Sequence, residues 1–245
     1  MKKLVALAAL APAALALAAC GGSGDGNITA PANSVAAVPA PAGQDWTQVV
    51  RKTPEGGYLM GNPDAPLKLV EYGSRTCPTC GAFGQTAMRP LEAKYVKSGK
   101  VSYEFRDFMV HAPDLGVALV GHCAGTEPFF PMLEQMFTEQ PAVLEKLGAA
   151  GPFQQSIINQ TPQQQAAAWA SHLGYIDFAK QRGIPEGQLK ACLTNEKLMA
   201  DIVKISDSAM KQGITGTPTF LLNGRKLDGQ VAWDQIEQTL KNAGA

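Results

Sequence analysis

Fold and chemistry both follow from the run Glu71-Tyr72-Gly73-Ser74-Arg75-Thr76-Cys77-Pro78-Thr79-Cys80. An apolar strand, Leu67 to Tyr72, leads into a short turn, and a helical pattern begins at Cys77. Two cysteines three residues apart at the start of a helix lie on one face and can form a disulfide with little backbone movement. The first amides of the helix have no intrahelical partner and favour a thiolate at the first sulfur. We therefore expect Cys77 to be the attacking sulfur, with a lowered pKa, and Cys80 to be the resolving one.

A Cys-x-x-Cys pair also forms half of many zinc sites, and copper(I) binds soft thiolates. A structural zinc needs four ligands, but the sequence has no second Cys-x-x-Cys. The three histidines, His111, His122 and His172, are scattered without ligand spacing. A redox pair is therefore the favoured interpretation, and no metal is expected; zinc or copper binding and an inert disulfide are the alternatives.

The composition is that of an ordinary globular protein with additions. The 245 residues are 45% hydrophobic and 17% charged, and 21 basic residues balance 21 acidic ones. This balance gives no indication of binding to nucleic acid or to an acidic membrane surface.

The N-terminus carries a targeting signal. Lys2 and Lys3 precede an apolar run, Leu4 to Leu17, that is short for a membrane span. The sequence Leu17-Ala18-Ala19-Cys20 resembles the lipobox of bacterial lipoproteins, which implies cleavage of residues 1–19 and lipidation of Cys20. An ordinary secretory signal is the alternative. In either case the protein leaves the cytoplasm, so that disulfides can persist.

The order of predicted elements defines five segments. After the signal, residues 20–56 are expected to be a lipidated, flexible linker, because Gly21 to Gly43 is almost entirely small and polar. Residues 57–113 contain strands at Tyr58–Met60, Leu67–Tyr72 and Val101–Arg106, the last with one buried face, around a helix kinked at Pro90. Residues 114–213 have helical patterns, with one helix opening at Thr161-Pro162 and a last one carrying an apolar stripe of Leu198, Ile202, Ile205 and Ala209; the polar segment Gln154–Gln165 is predicted to be a loop. Residues 214–245 form a hairpin at Asn223-Gly224 and a closing helix. This order predicts an α/β thioredoxin fold, a mixed sheet flanked by helices, interrupted by an all-helical insertion.

Two cysteines remain, Cys123 and Cys192. An even remainder in an oxidising compartment favours a structural disulfide, which would close a loop of 69 residues. Two buried free thiols are the alternative.

Three separated motifs give a specific family resemblance over roughly Tyr58 to Leu240. They are Cys77-Pro78-Thr79-Cys80, the segment Gly216-Thr217-Pro218-Thr219-Phe220, and Glu71, six residues before the first cysteine. The chain resembles the DsbA-type thiol–disulfide oxidoreductases whose thioredoxin fold holds a helical insertion.

The resemblance implies further site residues. Pro218 would follow a cis peptide bond beside the reactive pair, and Thr217 would pair its main chain with an extended substrate. Pro78 and Thr79 would belong to the same substrate-binding surface. An ordinary trans proline opening an edge strand is the alternative for Pro218.

Glu71 shares a strand face with Leu67 and Leu69, so it is expected to be buried beneath the disulfide. Burial raises the pKa of a carboxyl group, which would allow Glu71 to exchange a proton with Cys80. A solvated carboxylate is the alternative. Arg75 and His122 are expected to be solvated.

The function implied is disulfide exchange with exported proteins, most simply as an oxidase, without metal or organic cofactor. Family oxidases often carry His at the position of Thr79, and the family's isomerases and reductases share Thr before the proline. A reductase or isomerase is therefore an alternative, as is a membrane-tethered protein that binds copper or unfolded chains. A membrane redox partner, a lipid anchor on the periplasmic side and a monomeric state are expected, and nucleic acid is not.

Overall fold

The computed structural model describes residues 34–245. The predicted signal segment, residues 1–19, and the predicted lipidation site, Cys20, lie outside these residues. The strands are β1 Val50–Lys52, β2 Tyr58–Met60, β3 Leu67–Gly73, β4 Val101–Asp107, β5 Thr219–Leu222 and β6 Arg225–Lys226. The helices are α1 Pro78–Pro90, α2 Asp114–Cys123, α3 Phe129–Gly148, α4 Gly151–Ile157, α5 Pro162–His172, α6 Tyr175–Gln181, α7 Glu186–Leu193, α8 Glu196–Lys211 and α9 Trp233–Asn242.

The six strands form one mixed sheet in the order β1-β2-β4-β3-β5-β6, and only β3 and β4 are parallel. Helix α1 makes the crossover between them, as the sequence predicted. The hairpin of β5 and β6 turns at Asn223 and Gly224, both with positive φ (50° and 78°), as a primed two-residue turn requires. The mixed sheet with flanking helices confirms the predicted fold class.

The sheet is covered on both faces. On one face, side chains such as Leu69 and Phe220 pack against Phe83 of α1 and Ile236 of α9. On the other face, Tyr72 joins a small apolar cluster with residues of α8. The prediction that Val101–Arg106 has one buried face is therefore wrong. Ser102 and Glu104, on the expected solvent face, are 1% and 6% exposed.

The helix α1 does not simply kink at Pro90. Its regular hydrogen-bond ladder ends there, and the chain continues as a π-helical segment, Leu91–Val96. The missing N–H of proline interrupts the ladder, and wider helical turns follow.

Helices α2 to α8 lie between β4 and β5, and most of them surround a second core that includes Trp169. The predicted loop at Gln154–Gln165 is wrong, because α4 and α5 occupy most of it. Thr161 opens α5 with a capping box, its side chain accepting from the backbone of Gln164. Helix α3 contributes to the core of the sheet as well as to the second core, since Phe129, Phe130 and Phe137 pack into the core of the sheet.

The described part of the predicted linker is not a free tether. Val35 N–H donates to the Gly244 carbonyl at 2.8 Å, and Val38 N–H donates to the Ser98 carbonyl at 3.0 Å. Trp46 opens a short 3₁₀ turn and is buried, and β1 then adds to the edge of the sheet. Among the described residues, the segment that we define as the N-terminal strap, residues 35–46, is therefore packed on the fold.

Within residues 34–245, no helix combines the length and the apolar character needed to cross a bilayer.

Candidate active site

Cys77 occupies the N-cap of α1, directly after the turn that leaves β3. Its backbone is extended (φ −83°, ψ 117°), and its Sγ accepts a hydrogen bond from the Cys80 N–H at 3.4 Å. Pro78 follows in the first turn, where its missing N–H leaves no gap in the ladder. The side chains of Cys77 and Cys80 are both free thiols in this structure, and both are buried.

The two sulfurs have opposite ionisation behaviour. The Cys80 thiol donates to the Cys77 sulfur and, with the backbone amides of Cys80 and Thr79, lowers the pKa of Cys77 to about 5. Burial is the main cause that raises the pKa of Cys80 well above its usual value; the hydrogen bond to Cys77 raises it further, and a backbone hydrogen bond with Ser74 lowers it only in part. The pair therefore carries one stabilised thiolate at Cys77 and one protonated thiol at Cys80.

Glu71 lies on β3 facing the redox helix, where strand alternation placed it, and is 0% exposed. Tyr103 on β4 donates its hydroxyl to Glu71 Oε2 at 2.6 Å, and Oε1 has no hydrogen-bond partner among the described residues. Burial is the main cause that raises the pKa of Glu71 to about 8. The charge of Glu71 also raises the pKa of Cys80, so the carboxyl and the inner thiol are coupled.

The loop that contains Thr217 and Pro218 lies against the sulfur of Cys77. The Thr217–Pro218 peptide bond is cis, and the Thr217 carbonyl is 3.4 Å from Cys77 Sγ. A carbonyl accepts only from the protonated thiol, so this contact opposes the thiolate, whereas hydrogen bonds with Cys80 and with the Thr217 side chain favour it by lowering the pKa of Cys77. Pro218 is buried and Thr217 half-buried, while Pro78 and Thr79 are exposed beside them. The structure thus assembles the predicted substrate-binding residues around one sulfur.

Arg75 and His122 were predicted to be solvated, and this prediction is wrong. Arg75 is 2% exposed and forms a buried ion pair with Asp107, its guanidinium 5.3 and 5.4 Å from the ring centres of Phe105 and Phe129. His122 Nε2 lies 2.8 Å from the same Asp107 carboxylate. Although burial alone would raise it, Arg75 and His122 lower the pKa of Asp107.

A second polar cluster holds the turn before Cys77. Asp114, at the start of α2, accepts hydrogen bonds from the hydroxyls of Ser74 and Thr76 and from two backbone amides of the β4–α2 loop. His111 Nδ1 lies 2.9 Å from the Thr76 hydroxyl. The turn is therefore fixed to the first helix of the insertion.

Cys123 and Cys192 are joined in the structure and link α2 to α7, with their Cα atoms 5.8 Å apart. Among residues 34–245, no group of three or more His, Cys, Asp or Glu side chains is arranged to hold a metal ion.

Besides Asp107 and Asp114, sequence reasoning missed Tyr103 and Gln140. Tyr103 could have been found, because parallel pairing of β3 and β4 puts its face of β4 next to Glu71. Gln140 of α3 is buried beside the reactive turn and donates to the Cys77 carbonyl. The only sequence signal for Gln140 is one polar residue among the apolar positions Met136, Phe137 and Val143 of a helical stripe.

Comparison with known proteins places this geometry in a family. The family model described as Thioredoxin matches residues 53–242. A protein-disulfide isomerase from Novosphingobium aromaticivorans has 31% sequence identity to this chain. Its crystal structure matches with a TM-score of 0.71, over 75% of this chain and 94% of that one. The chain therefore belongs to the thioredoxin family.

More distant relatives agree in fold. Alpha-DsbA1 of Wolbachia pipientis is 22% identical, with a TM-score of 0.59 over 77% of this chain and 90% of that one, so the fold is DsbA-like. A Rickettsia prowazekii protein carrying the name of a protein-disulfide oxidoreductase is 26% identical over 179 residues, or 73% of this chain. The chain spans only 58% of the length of that relative and 63% of that of a Rickettsia conorii relative.

Proposed function

We propose that this protein is a thiol:disulfide oxidoreductase that introduces disulfides into exported proteins through Cys77 and Cys80. The observation that carries the proposal is the contrast between the two sulfurs: Cys77 has a pKa of about 5, whereas the pKa of the buried Cys80 is raised. A stabilised Cys77 thiolate favours the reduced form of the pair, so the disulfide form readily accepts electrons.

The exchange proceeds in two displacements. A substrate thiolate attacks the Cys77 sulfur of the Cys77–Cys80 disulfide, a mixed disulfide forms, and Cys80 leaves as a thiolate that takes up a proton. A second substrate thiolate then attacks the substrate sulfur of the mixed disulfide, and Cys77 leaves as its stable thiolate. The substrate loses two electrons and the enzyme pair gains them.

Glu71 supplies the proton that Cys80 needs in the first displacement. With a pKa of about 8 it is protonated at neutral pH, and its buried carboxyl is coupled to the Cys80 thiol. In the reverse direction, when the pair is reoxidised, Glu71 accepts the proton that Cys80 must release.

A second candidate is disulfide isomerisation. The Novosphingobium structure named a protein-disulfide isomerase is the observation that favours it. An isomerase also attacks through a Cys77 thiolate, but its pair must be reduced at rest, which requires a lower reduction potential.

The deciding experiment is the equilibrium of the purified protein, residues 34–245, with glutathione, together with catalysed oxidation of a reduced, unfolded test protein. The proposal predicts an equilibrium more oxidising than that of glutathione and loss of oxidation in Cys77→Ser. A thioredoxin-like potential with refolding of scrambled disulfides would replace the oxidase with the isomerase. Absence of any exchange would overturn both.

We further propose that the mature protein begins at a lipidated Cys20, faces the periplasm and exchanges electrons with a membrane redox partner as a monomer. The mass of the protein purified from membranes tests the anchor, since acylation adds the mass of the lipid and Cys20→Ala removes it. A soluble, unmodified wild type would refute the anchor without affecting the exchange chemistry.

A further inference from the structure

One side chain of the helical insertion reaches the reactive turn. Gln140 of α3 is 3% exposed, and its Nε2 donates to the carbonyls of Arg75 and Cys77, at 2.9 Å in each case. The Cys77 carbonyl also starts the ladder of α1 by accepting from Gly81 N–H at 3.1 Å. The Arg75 carbonyl has no other hydrogen bond within the described chain. One amide group therefore fixes the backbone on both sides of the residue that carries the reactive sulfur.

The sequence of α1 makes room for this amide. A Cβ placed on Gly81 would lie 2.0 Å from Gln140 Oε1, so any other residue at position 81 would displace the side chain. One turn further, a Cβ on Gly84 would lie 2.5 Å from the Phe137 ring. The two glycines allow α3 to approach the redox helix closely.

A second hydrogen bond between α1 and α3 depends on Pro141. Because proline has no N–H, the carbonyl of Phe137, four residues earlier, receives no bond from the ladder of α3. The side-chain amide of Gln85 in α1 donates to this carbonyl instead, at 2.9 Å. Gln140 and Gln85 thus make the same kind of bond between α1 and α3, but only Gln140 touches the reactive turn.

We propose that Gln140 is a positioning residue for the Cys77 thiolate. By holding the carbonyls of Arg75 and Cys77, it keeps the Cys77 side chain at the mouth of α1, where the Cys80 amide donates to its sulfur at 3.4 Å. This inference rests on the proposed role of Cys77 as the attacking sulfur. A side chain of the helical insertion thus positions the reactive sulfur of the thioredoxin unit.

The test compares Gln140→Met with Gln85→Met. Methionine keeps the length of the side chain and removes the donors, and Gln85→Met loses a bond of the same kind at the same helix contact. The ionisation of Cys77 is followed by the ultraviolet absorbance of its thiolate, and the redox equilibrium is measured against glutathione. In Gln140→Met we expect the pKa of Cys77 to rise by about one unit, and the equilibrium to become about tenfold less oxidising. In Gln85→Met the acid dissociation constant of Cys77 and the redox equilibrium constant should both stay within a factor of about two of their wild-type values.

Gln140→Glu provides a second variant of the same size, in which a carboxylate faces two carbonyls, and the pKa of Cys77 should again rise. Equal losses of stability in both methionine variants, with the ionisation of Cys77 unchanged, would show that Gln140 is only structural and would overturn the inference. An ordinary thiol pKa for Cys77 in the wild type would remove the proposed function as well, so the two failures are distinguishable.

Discussion

At the scale of single residues, Glu71 should make the stability of the oxidised protein depend on pH. Its carboxyl ionises near its ordinary pKa of 4.5 in the unfolded chain, but burial raises its pKa in the folded protein to about 8. Between these values the folded state holds one proton more than the unfolded state, so the free energy of unfolding falls as pH rises. Glu71→Gln should reduce this decrease by up to about 1.4 kcal/mol for each pH unit.

Chemical unfolding of the oxidised wild type and Glu71→Gln over this range measures the effect. The pH range over which stability falls should end at a lower pH in the oxidised protein than in the reduced one. Only the reduced protein carries the Cys77 thiolate, which also raises the pKa of Glu71. Parallel stability curves for the two proteins would contradict the assignment of a buried, protonated Glu71.

Tyr103 should adjust the same carboxyl group. Its hydroxyl donates to Glu71 at 2.6 Å and lowers the pKa of Glu71 against the effect of burial. Tyr103→Phe should therefore raise that pKa further and, because a protonated Glu71 supplies the proton in the first displacement, move the pH profile of mixed-disulfide formation to higher pH. Rates of single-turnover exchange at a series of pH values give the profile.

Tyr95→Phe is the matched control for Tyr103→Phe, because Tyr95 donates to the surface carboxylate of Glu237 at 3.0 Å. This variant loses the same type of bond but should leave the profile in place. If both variants move the profile equally, or neither does, Tyr103 has no specific role.

The sequence allowed the reactive residues to be predicted, but not all of their partners. Local rules were enough for Cys77, whose helix start can be recognised from neighbouring residues, and for Glu71, whose face follows from strand alternation. Arg75 could not be placed, because its partner Asp107 is 32 residues away and nothing local shows that the pair is buried. Gln140 is separated from Cys77 by 63 residues, so only the packed structure shows their contact.

At the scale of elements, the contact between α1 and α3 should tolerate no added side chain at Gly84. An alanine Cβ there would lie 2.5 Å from the Phe137 ring. Overpacking of this kind costs about 1–3 kcal/mol, which should exceed the gain in helix propensity of up to about 1 kcal/mol. Gly84→Ala should therefore lower the midpoint of thermal or chemical unfolding.

Gly187→Ala provides the comparison, since Gly187 is exposed in α7 and no other residue lies near its added Cβ. It should raise stability by up to about 1 kcal/mol, because only the helix propensity changes. An equal gain in Gly84→Ala would mean that α1 and α3 are not closely packed.

Segments with a strong hydrophobic periodicity or a specific turn sequence are predicted correctly, whereas a segment interpreted from its composition is not. The stripe of α8 and the Asn223-Gly224 turn were recognised from pattern and turn chemistry. The polarity of the Gln-rich stretch predicts a loop, which is wrong for most of it, whereas the helix start predicted at Thr161-Pro162 is confirmed by the capping box of α5. β1 was missed because three residues at a sheet edge are too few to show a period.

At the scale of the whole molecule, the bond between Cys123 and Cys192 should stabilise the insertion independently of the redox site. It joins α2 to α7 across 69 residues, a loop whose closure is worth about 4 kcal/mol in chain entropy. The double variant Cys123→Ser/Cys192→Ser should lose stability up to this amount and keep the Cys77 ionisation of the wild type. Denaturant unfolding gives the first quantity and thiolate absorbance the second.

Peptide mapping without reduction provides the corresponding control, since the wild type should yield a linked pair of peptides. Equal stability of wild type and double variant, together with unlinked peptides, would show that the two cysteines are free thiols.

The N-terminal strap joins the fold far from the reactive sulfur. The strap is bonded to Gly244 and to Ser98, and Ser98 lies just beyond the C-terminal end of the helical run Pro78–Val96, which is roughly 28 Å long at 1.5 Å per residue. The reactive sulfur and the contact of the strap at Ser98 thus lie at opposite ends of this helical run. A bulky label attached at Ala245, next to the contact of the strap with Gly244, should therefore leave the proposed thiol exchange at Cys77 unhindered.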